Sequence, residues 1–337
     1  MRIVLAVMLA LACGRSSALA WGCDGHRAIA ILAERYAKPA AVAAAKALLA
    51  AHPIDPALSR FCGPFPGDPI VDAATWADDY RNVDQSTAPW HFIDFPLAVA
   101  DATSHYTSYC PSARSGSGRA SSTPTHSGET GCVIDAIVRQ FAIARTSSNA
   151  EARATALRYL IHLIGDAHQP LHAIANGDRG GNCVPVTYFG QAPQVDANGN
   201  YSPNLHGIWD SQSVRRLMEA VGAATPSALA TNLDPHASPS KVHAEMPSTA
   251  RVVAWTTKAN AFAKSTAYGK LSTPVPVEPA SQFMIASCDD NNHVAQRMAA
   301  LDERLDAQYD AAARPVIRTQ LRDGARRLAA TIDALFQ

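Results

Sequence analysis

Beyond its first dozen residues the sequence lacks any apolar run approaching the roughly 20 residues that cross a bilayer, which argues against a membrane-spanning helix. It also lacks a net charge: 29 Lys and Arg balance 29 Asp and Glu, so no global basic field draws the chain to nucleic acid, and any such contact is local. No C-x-x-C pair occurs, which removes the zinc-ribbon class and leaves the cysteines a structural role. Internal repeats are absent. So are convincing alternating strands, apart from a short hairpin expected around residues 184–189.

What is present begins with Arg2, an apolar run over residues 3–12 and Ala18-Leu19-Ala20. A charged start, a short apolar stretch and a small-x-small site predict a secretory signal peptide over residues 1–20, cut after Ala20. A lipid on Cys13 is a poorer reading, because Ala10 and not Leu stands three residues before it. Loss of Arg2 and Arg15 leaves the mature chain, 21–337, slightly acidic. Cys23, Cys62, Cys110, Cys132, Cys183 and Cys288 remain, an even set that suggests up to three disulfides in an exported protein. Their connectivity stays open, with Cys110 and Cys132 the favoured pair because they flank a Ser/Gly-rich stretch.

Helical period dominates the rest. Residues 24–36, 40–51 and 151–169 carry apolar or helix-forming patterns, the last stopped by Pro170. Residues 295–336 read as two amphipathic helices broken at Pro315. Residues 111–131 and 191–204 read as surface loops. The expectation is an all-α, single mostly helical domain with long loops.

His and Asp recur on this frame. His162 and Asp166 are four apart on one helix, about 40° apart around its axis. His206 and Asp210 repeat the spacing, His172 follows the Pro170 break, and Asp78, His91 and Asp94 lie upstream. One such pair is more often a surface hydrogen bond. A carboxylate among Ile161, Leu163 and Ile164 is costlier, because desolvating it calls for a compensating charge, and a metal supplies one. Nitrogen and carboxylate donors without thiolate suit catalytic zinc. Cleavage after Ala20 would free the Trp21 amine, which with its own carbonyl forms a five-membered chelate, and His26 lies close enough to join it.

Trp21, His26, Trp76-Ala77-Asp78, His91-Phe92-Ile93-Asp94, His162-x-x-x-Asp166, His168-Gln169-Pro170-Leu171-His172, Gly180-Gly181-Asn182 and Leu205-His206-x-x-Trp209-Asp210 together resemble the zinc-dependent single-strand-specific nucleases of the S-one/P-one type. The likeness runs in order from Trp21 to about Asp210 and more loosely into the C-terminal tail. It implies three zinc ions. Asp78, His91, His162 and Asp166 would hold the first. Trp21 and His26 would hold the second, with Asp166 bridging, and His172, His206 and Asp210 the third. It further implies hydrolysis of single-stranded DNA and RNA to 5′-phosphates, with 3′-nucleotidase activity. Asp78 would orient water, Asn182 and Arg81 would contact phosphate, and Phe92 and Asp94 would hold a base, by stacking and by hydrogen bonding. Stacking tolerates any base but needs an unpaired strand. Substrates are then single strands and nucleotides, with no protein partner and no membrane anchor, and the protein is expected to be a monomer in the periplasm or outside the cell.

The sequence departs from the family at Ala259-Asn260, where a Glu-Ser pair is common, and in the length of the 111–131 stretch. His168 lies about 240° from His162 around the helix and reads as structural or supporting. His52, His105, His126, His236, His243 and His293 read as surface residues. Zinc-dependent phospholipase C shares the fold and three-metal layout, but it carries Glu at the last ligand position and a longer gap after its first Trp. A non-catalytic metal-holding protein would use the same ligands with no open coordination position.

Overall fold

The computed structural model describes residues 21–59, 61–101, 103–110, 131–197, 199–277, 288 and 293–337. The expected signal segment, 1–20, and residues 111–130 of the expected loop lie outside them. No helix among the described residues is long and apolar enough to cross a membrane.

The helices are α1 (Gly22–Tyr36), α2 (Pro39–Ala51), α3 (Pro69–Ala73), α4 (Trp76–Tyr80), α5 (Val133–Thr146), α6 (Ala150–Asp166), α7 (Leu205–Gly207), α8 (Ser213–Ala220), α9 (Pro226–Leu233), α10 (Thr249–Phe262), α11 (His293–Leu301) and α12 (Ala307–Leu335). Helix starts follow side-chain chemistry. Asp68 accepts from the Ile70 and Val71 amides, Asn149 from Ala152, Thr225 from Ala228 and Asp306 from Gln308, each satisfying a donor that the first helical turn leaves open.

The most extensive packing is α5 on α6 and α1 on α12. From Ala154 to Asp166, α6 is buried nearly all round, which makes it the central helix. Its apolar side chains join one continuous core with Ile29, Leu32 and Tyr36 of α1 and Ile317, Leu321 and Leu328 of α12. His162 and Asp166, at the C-terminal end of α6, are fully buried.

Two expectations are corrected. The strands β1 (Thr187–Tyr188), β2 (Gln194–Val195), β3 (Tyr201–Ser202) and β4 (Arg304–Leu305) place the hairpin at β2–β3, inside the stretch read as a loop. There Asp196 accepts from the Asn200 amide and Gly199 takes φ +75°. β1 instead pairs in parallel with β4. The second correction is that α12 runs unbroken through Pro315; the break falls between α11 and α12. Buried neighbours such as Ala313, Val316 and Ile317 hold the helix together where Pro315 removes one backbone donor.

The disulfides are Cys23–Cys62, Cys110–Cys132 and Cys183–Cys288. The first ties the start of α1 to the 61–63 turn, where Arg27 also donates to the Cys62 and Gly63 carbonyls.

Candidate metal centre

Three structural levels converge on the C-terminal end of α6. His162 Nδ1 donates to the Ala74 carbonyl (2.8 Å), so in the neutral ring Nε2 is a bare acceptor. That atom lies 3.1 Å from His91 Nδ1, 3.2 Å from Asp166 Oδ2 and 3.7 Å from Asp78 Oδ1. His91 Nδ1 is 2.8 Å from the same Asp166 oxygen and 3.9 Å from Asp78 Oδ1. Asp78, His91, His162 and Asp166 therefore enclose one point.

The other oxygen of Asp166 faces a different imidazole: Oδ1 lies 3.3 Å from His26 Nε2. The His26 ring stacks on His162 with centroids 4.1 Å apart. Gly165 makes this possible, since a Cβ there would come within 2.8 Å of the His26 ring. Trp21 is fully buried at the head of α1, and its indole Nε1 donates to the Gly165 carbonyl (3.0 Å). Its own carbonyl accepts from the Gly25 amide (3.0 Å). The indole thus anchors the terminus of α1 one residue before Asp166.

A further group forms beyond α6. His172 Nδ1 donates to the His91 carbonyl and His206 Nδ1 to the Gly180 carbonyl, each at 2.7 Å. Their Nε2 atoms face each other at 3.1 Å, with Asp210 Oδ2 3.3 Å from His206 Nε2 and Oδ1 4.0 Å from His172 Nε2. Gly180 adopts φ +61°, and a Cβ there would strike the Leu171 carbonyl at 2.5 Å, so glycine is required for this carbonyl to reach His206. Ile93 returns a second backbone bond, donating to the His172 carbonyl (2.9 Å).

The donors fit metal ions. Tetrahedral zinc with bonds of about 2.0–2.1 Å to nitrogen sets neighbouring nitrogens about 3.3 Å apart, close to the spacings seen. Of the atoms that face these groups, buried His26 Nε2, Asp78 Oδ1, Asp166 Oδ1 and Asp210 Oδ2 have no hydrogen-bond partner among the described residues. Such groups are costly unless a cation satisfies them. His26 with Asp78 and His162, His91 with His162 and Asp166, and His172 with His206 and Asp210 each offer ligand atoms within 4.8 Å of one another.

Electrostatics follow from crowding. Burial pushes the Asp166 carboxyl up, but His162, His26 and His91 outweigh it and hold it well below the usual carboxylate range. Burial also works against a charged His162, yet Asp166 and Asp78 raise its pKa. His172 is pushed down to about 4, by burial and then by His206.

The remaining predicted residues lie on the segments that carry these groups. Arg81 Nη1 is 3.6 Å from Asp78 Oδ1. Phe92, half-buried, follows His91 directly, and its carbonyl receives the Val133 amide that opens α5. Asp94 is pushed up to about 7, by burial and then by Asp178. Asn182, two residues beyond Gly180, donates to the Arg179 carbonyl (2.7 Å).

Sequence reasoning overlooked Gln169. Fully buried, it donates from Nε2 to Asp210 Oδ1 (2.6 Å) and accepts the Leu171 amide, so it orients one carboxylate of the centre. Its signal was a buried-looking amide between two histidines. His168 turns away: Nδ1 donates to the Ile164 carbonyl and Nε2 accepts from Arg327, a structural role. At the departure noted above, Asn260 ties α10 to the Ala173 carbonyl (2.7 Å).

The S1/P1 Nuclease family model matches residues 21–337. The chain is 29% identical to Nuclease S1 of Aspergillus oryzae (strain ATCC 42149 / RIB 40) over 221 residues, 64% of this chain and 60% of that protein. It is 30% identical to Nuclease P1 of Penicillium citrinum over 202 residues, 59% of this chain and 60% of that protein. With Endonuclease 2 of Arabidopsis thaliana the identity is 26% over 324 residues, 94% of this chain and 90% of that protein. The matched part thus spans about three fifths of the length of the fungal relatives. With the family model covering every residue from Trp21 onward, and the buried His/Asp groups built from the motifs within it, this chain belongs to the S1/P1 nuclease family.

Proposed function

We propose that this chain is an exported, zinc-dependent nuclease that hydrolyses single-stranded DNA and RNA to 5′-phosphate products and removes 3′-phosphates from nucleotides. The observation that carries the reading is the division of Asp166, whose two oxygens face two different sets of imidazoles. A buried carboxylate so placed suits two ions side by side, with Asp78, His91 and His162 on one and His26 and the Trp21 amine and carbonyl on the other. His172, His206 and Asp210 would take the third. The three disulfides support export to an oxidising compartment.

Bound zinc supplies positive charge that neutralises a phosphodiester and acidifies water at neutral pH. The chain's own groups do the rest. Asp78 accepts a hydrogen bond from the attacking water and orients it toward phosphorus, opposite the departing 3′ oxygen. Arg81, held beside Asp78, clamps the phosphate through its planar fork. Asn182 donates to a non-bridging oxygen. Phe92 stacks on the adjacent base and Asp94 hydrogen-bonds its edge, which selects an unpaired strand.

The test is an assay of the purified protein on single-stranded DNA, single-stranded RNA, duplex DNA and phosphatidylcholine, with and without EDTA. Hydrolysis confined to single strands, ending in 5′-phosphates, lost with EDTA and lost in Asp78→Asn is the expected result. Turnover of phosphatidylcholine alone, or a nuclease activity indifferent to EDTA, would overturn it. Metal analysis of a sample beginning at Trp21 is expected to give about three zinc ions per chain.

A further inference from the structure

Away from the metal groups, the end of α5, residues 241–246, the start of α10 and the end of α12 enclose a cleft of about 650 Å³. Its walls present Arg145, Lys241, Arg251, Arg326 and Arg327, and Glu245 is the one acidic side chain in its lining. In a chain with 29 cations and 29 anions, this is a local concentration of one sign.

Acids around the cleft offset only part of it. Glu245 pairs with Arg251 at 2.6 Å. Asp234 is shared, 3.3 Å from Lys241 and 3.8 Å from Arg326. Asp323 lies 3.9 Å from Arg327 but is held closer, at 2.7 Å, by Lys258. Arg145 meets the Met246 sulfur, which carries no charge to oppose it. The buried Nε of Arg326 has no hydrogen-bond partner among the described residues. Lys241, Arg251 and Arg326 keep 38, 46 and 41% of their side-chain surface exposed.

The cations come from separate parts of the wall: Arg145 from the end of α5, Lys241 from residues 241–246, Arg251 from α10, and Arg326 and Arg327 from α12. A cleft of about 650 Å³ is larger than one phosphate needs. A concave surface with an excess of one sign focuses its field on an anion with repeated charges.

We propose that this cleft is a phosphate-binding site, separate from the metal centre, that holds the backbone of a polyanion such as a single strand of nucleic acid. It stands on charge and shape, and not on the nuclease reading. Arginine forks suit phosphate oxygens, and an unpaired backbone can follow the curved wall.

Binding of a labelled phosphorothioate oligothymidylate to the zinc-loaded protein tests it, across a salt series. Replacing Arg145, Lys241 and Arg326 together by Gln is expected to weaken binding at least tenfold at low salt. It should also flatten the log–log salt dependence by about 2, at about 0.7 for each phosphate contact removed. Arg145→Gln alone, at a residue outside the core, gives a fraction of the effect and guards against misfolding of the triple variant. Calorimetry with inorganic phosphate separates the sources: loss of phosphate binding with strand affinity intact assigns the cleft to the free ion and overturns the strand. Unchanged binding of both probes overturns the site. Because the probe resists hydrolysis, failure of the nuclease reading would appear separately, as absence of turnover on ordinary strands.

Discussion

His172 Nε2 and His206 Nε2 face each other at 3.1 Å while both rings donate from Nδ1 to backbone carbonyls. With the rings neutral, two lone pairs meet with no proton between them, and Asp210 adds a third acceptor. A cation shared among them makes that arrangement favourable. Chelation should therefore cost stability as well as activity, on the order of 4 kcal/mol for an ion present at a thousand times its Kd. Thermal melts with EDTA, then with zinc restored, check this; an unshifted Tm would contradict it.

Gln169 is expected to matter to that group without touching metal. In Gln169→Leu, Asp210 loses the donor that fixes one of its oxygens. Loss of such an outer partner typically lowers metal affinity or activity 10–100-fold. Metal content should fall by about one ion per chain on dialysis against a weak chelator. Retention of the full complement would refute the role.

Gly165→Ala sets two effects against each other. Alanine favours a helix interior by about 1 kcal/mol over glycine. Here its Cβ would sit 2.8 Å from the His26 ring, and His26 has no space to retreat because it stacks on His162. The clash should win, with activity falling at least tenfold and Tm falling. A more stable, fully active variant would show that the ring moves freely.

Glu34 gives stability a pH dependence far from the metals. It pairs with Lys46 at 2.9 Å, and Lys46 also holds Asp68 at 2.6 Å. Burial, opposed by Lys46 and assisted by Asp68, pushes its carboxyl up to about 7 from 4.5. Between those values the folded chain binds more protons than the unfolded one, so this contribution is full below about pH 4.5 and is lost as pH rises through 7. Urea midpoints for Glu34→Gln should decline less between pH 5 and 7.5 than those of the parent. Parallel curves would refute the assignment.

Pro315 is exposed within α12, where it offers no amide to the Ala311 carbonyl one turn earlier. Since the helix continues regardless, Pro315→Ala should stabilise the protein by about 1–3 kcal/mol, read as a raised urea midpoint. A neutral or negative change would mean that the local backbone depends on the ring.

The central helix and the clustering of His and Asp were legible because their causes are local. His162 and Asp166 share a face by helical period, and a carboxylate amid isoleucines needs a partner wherever the chain goes. The β1–β4 pair was not legible. Thr187 and Arg304 meet through tertiary packing, and neither segment carries an alternating pattern. Pro315 misled for a related reason, since burial of Val316 and Ile317 outweighs a local penalty that sequence alone presents in full. Gln169 was passed over because an amide shows its value only once its carboxylate partner, 41 residues on, is in place.

The backbone of residues 91–93 is laced to His172 from both directions, His172 Nδ1 to the His91 carbonyl and the Ile93 amide to the His172 carbonyl. One short strip of chain therefore serves as a common ruler for imidazoles that belong to two separate His/Asp groups. Displacing His91 would be expected to shift His172 as well. Metal bound at one of these two groups should accordingly favour metal at the other.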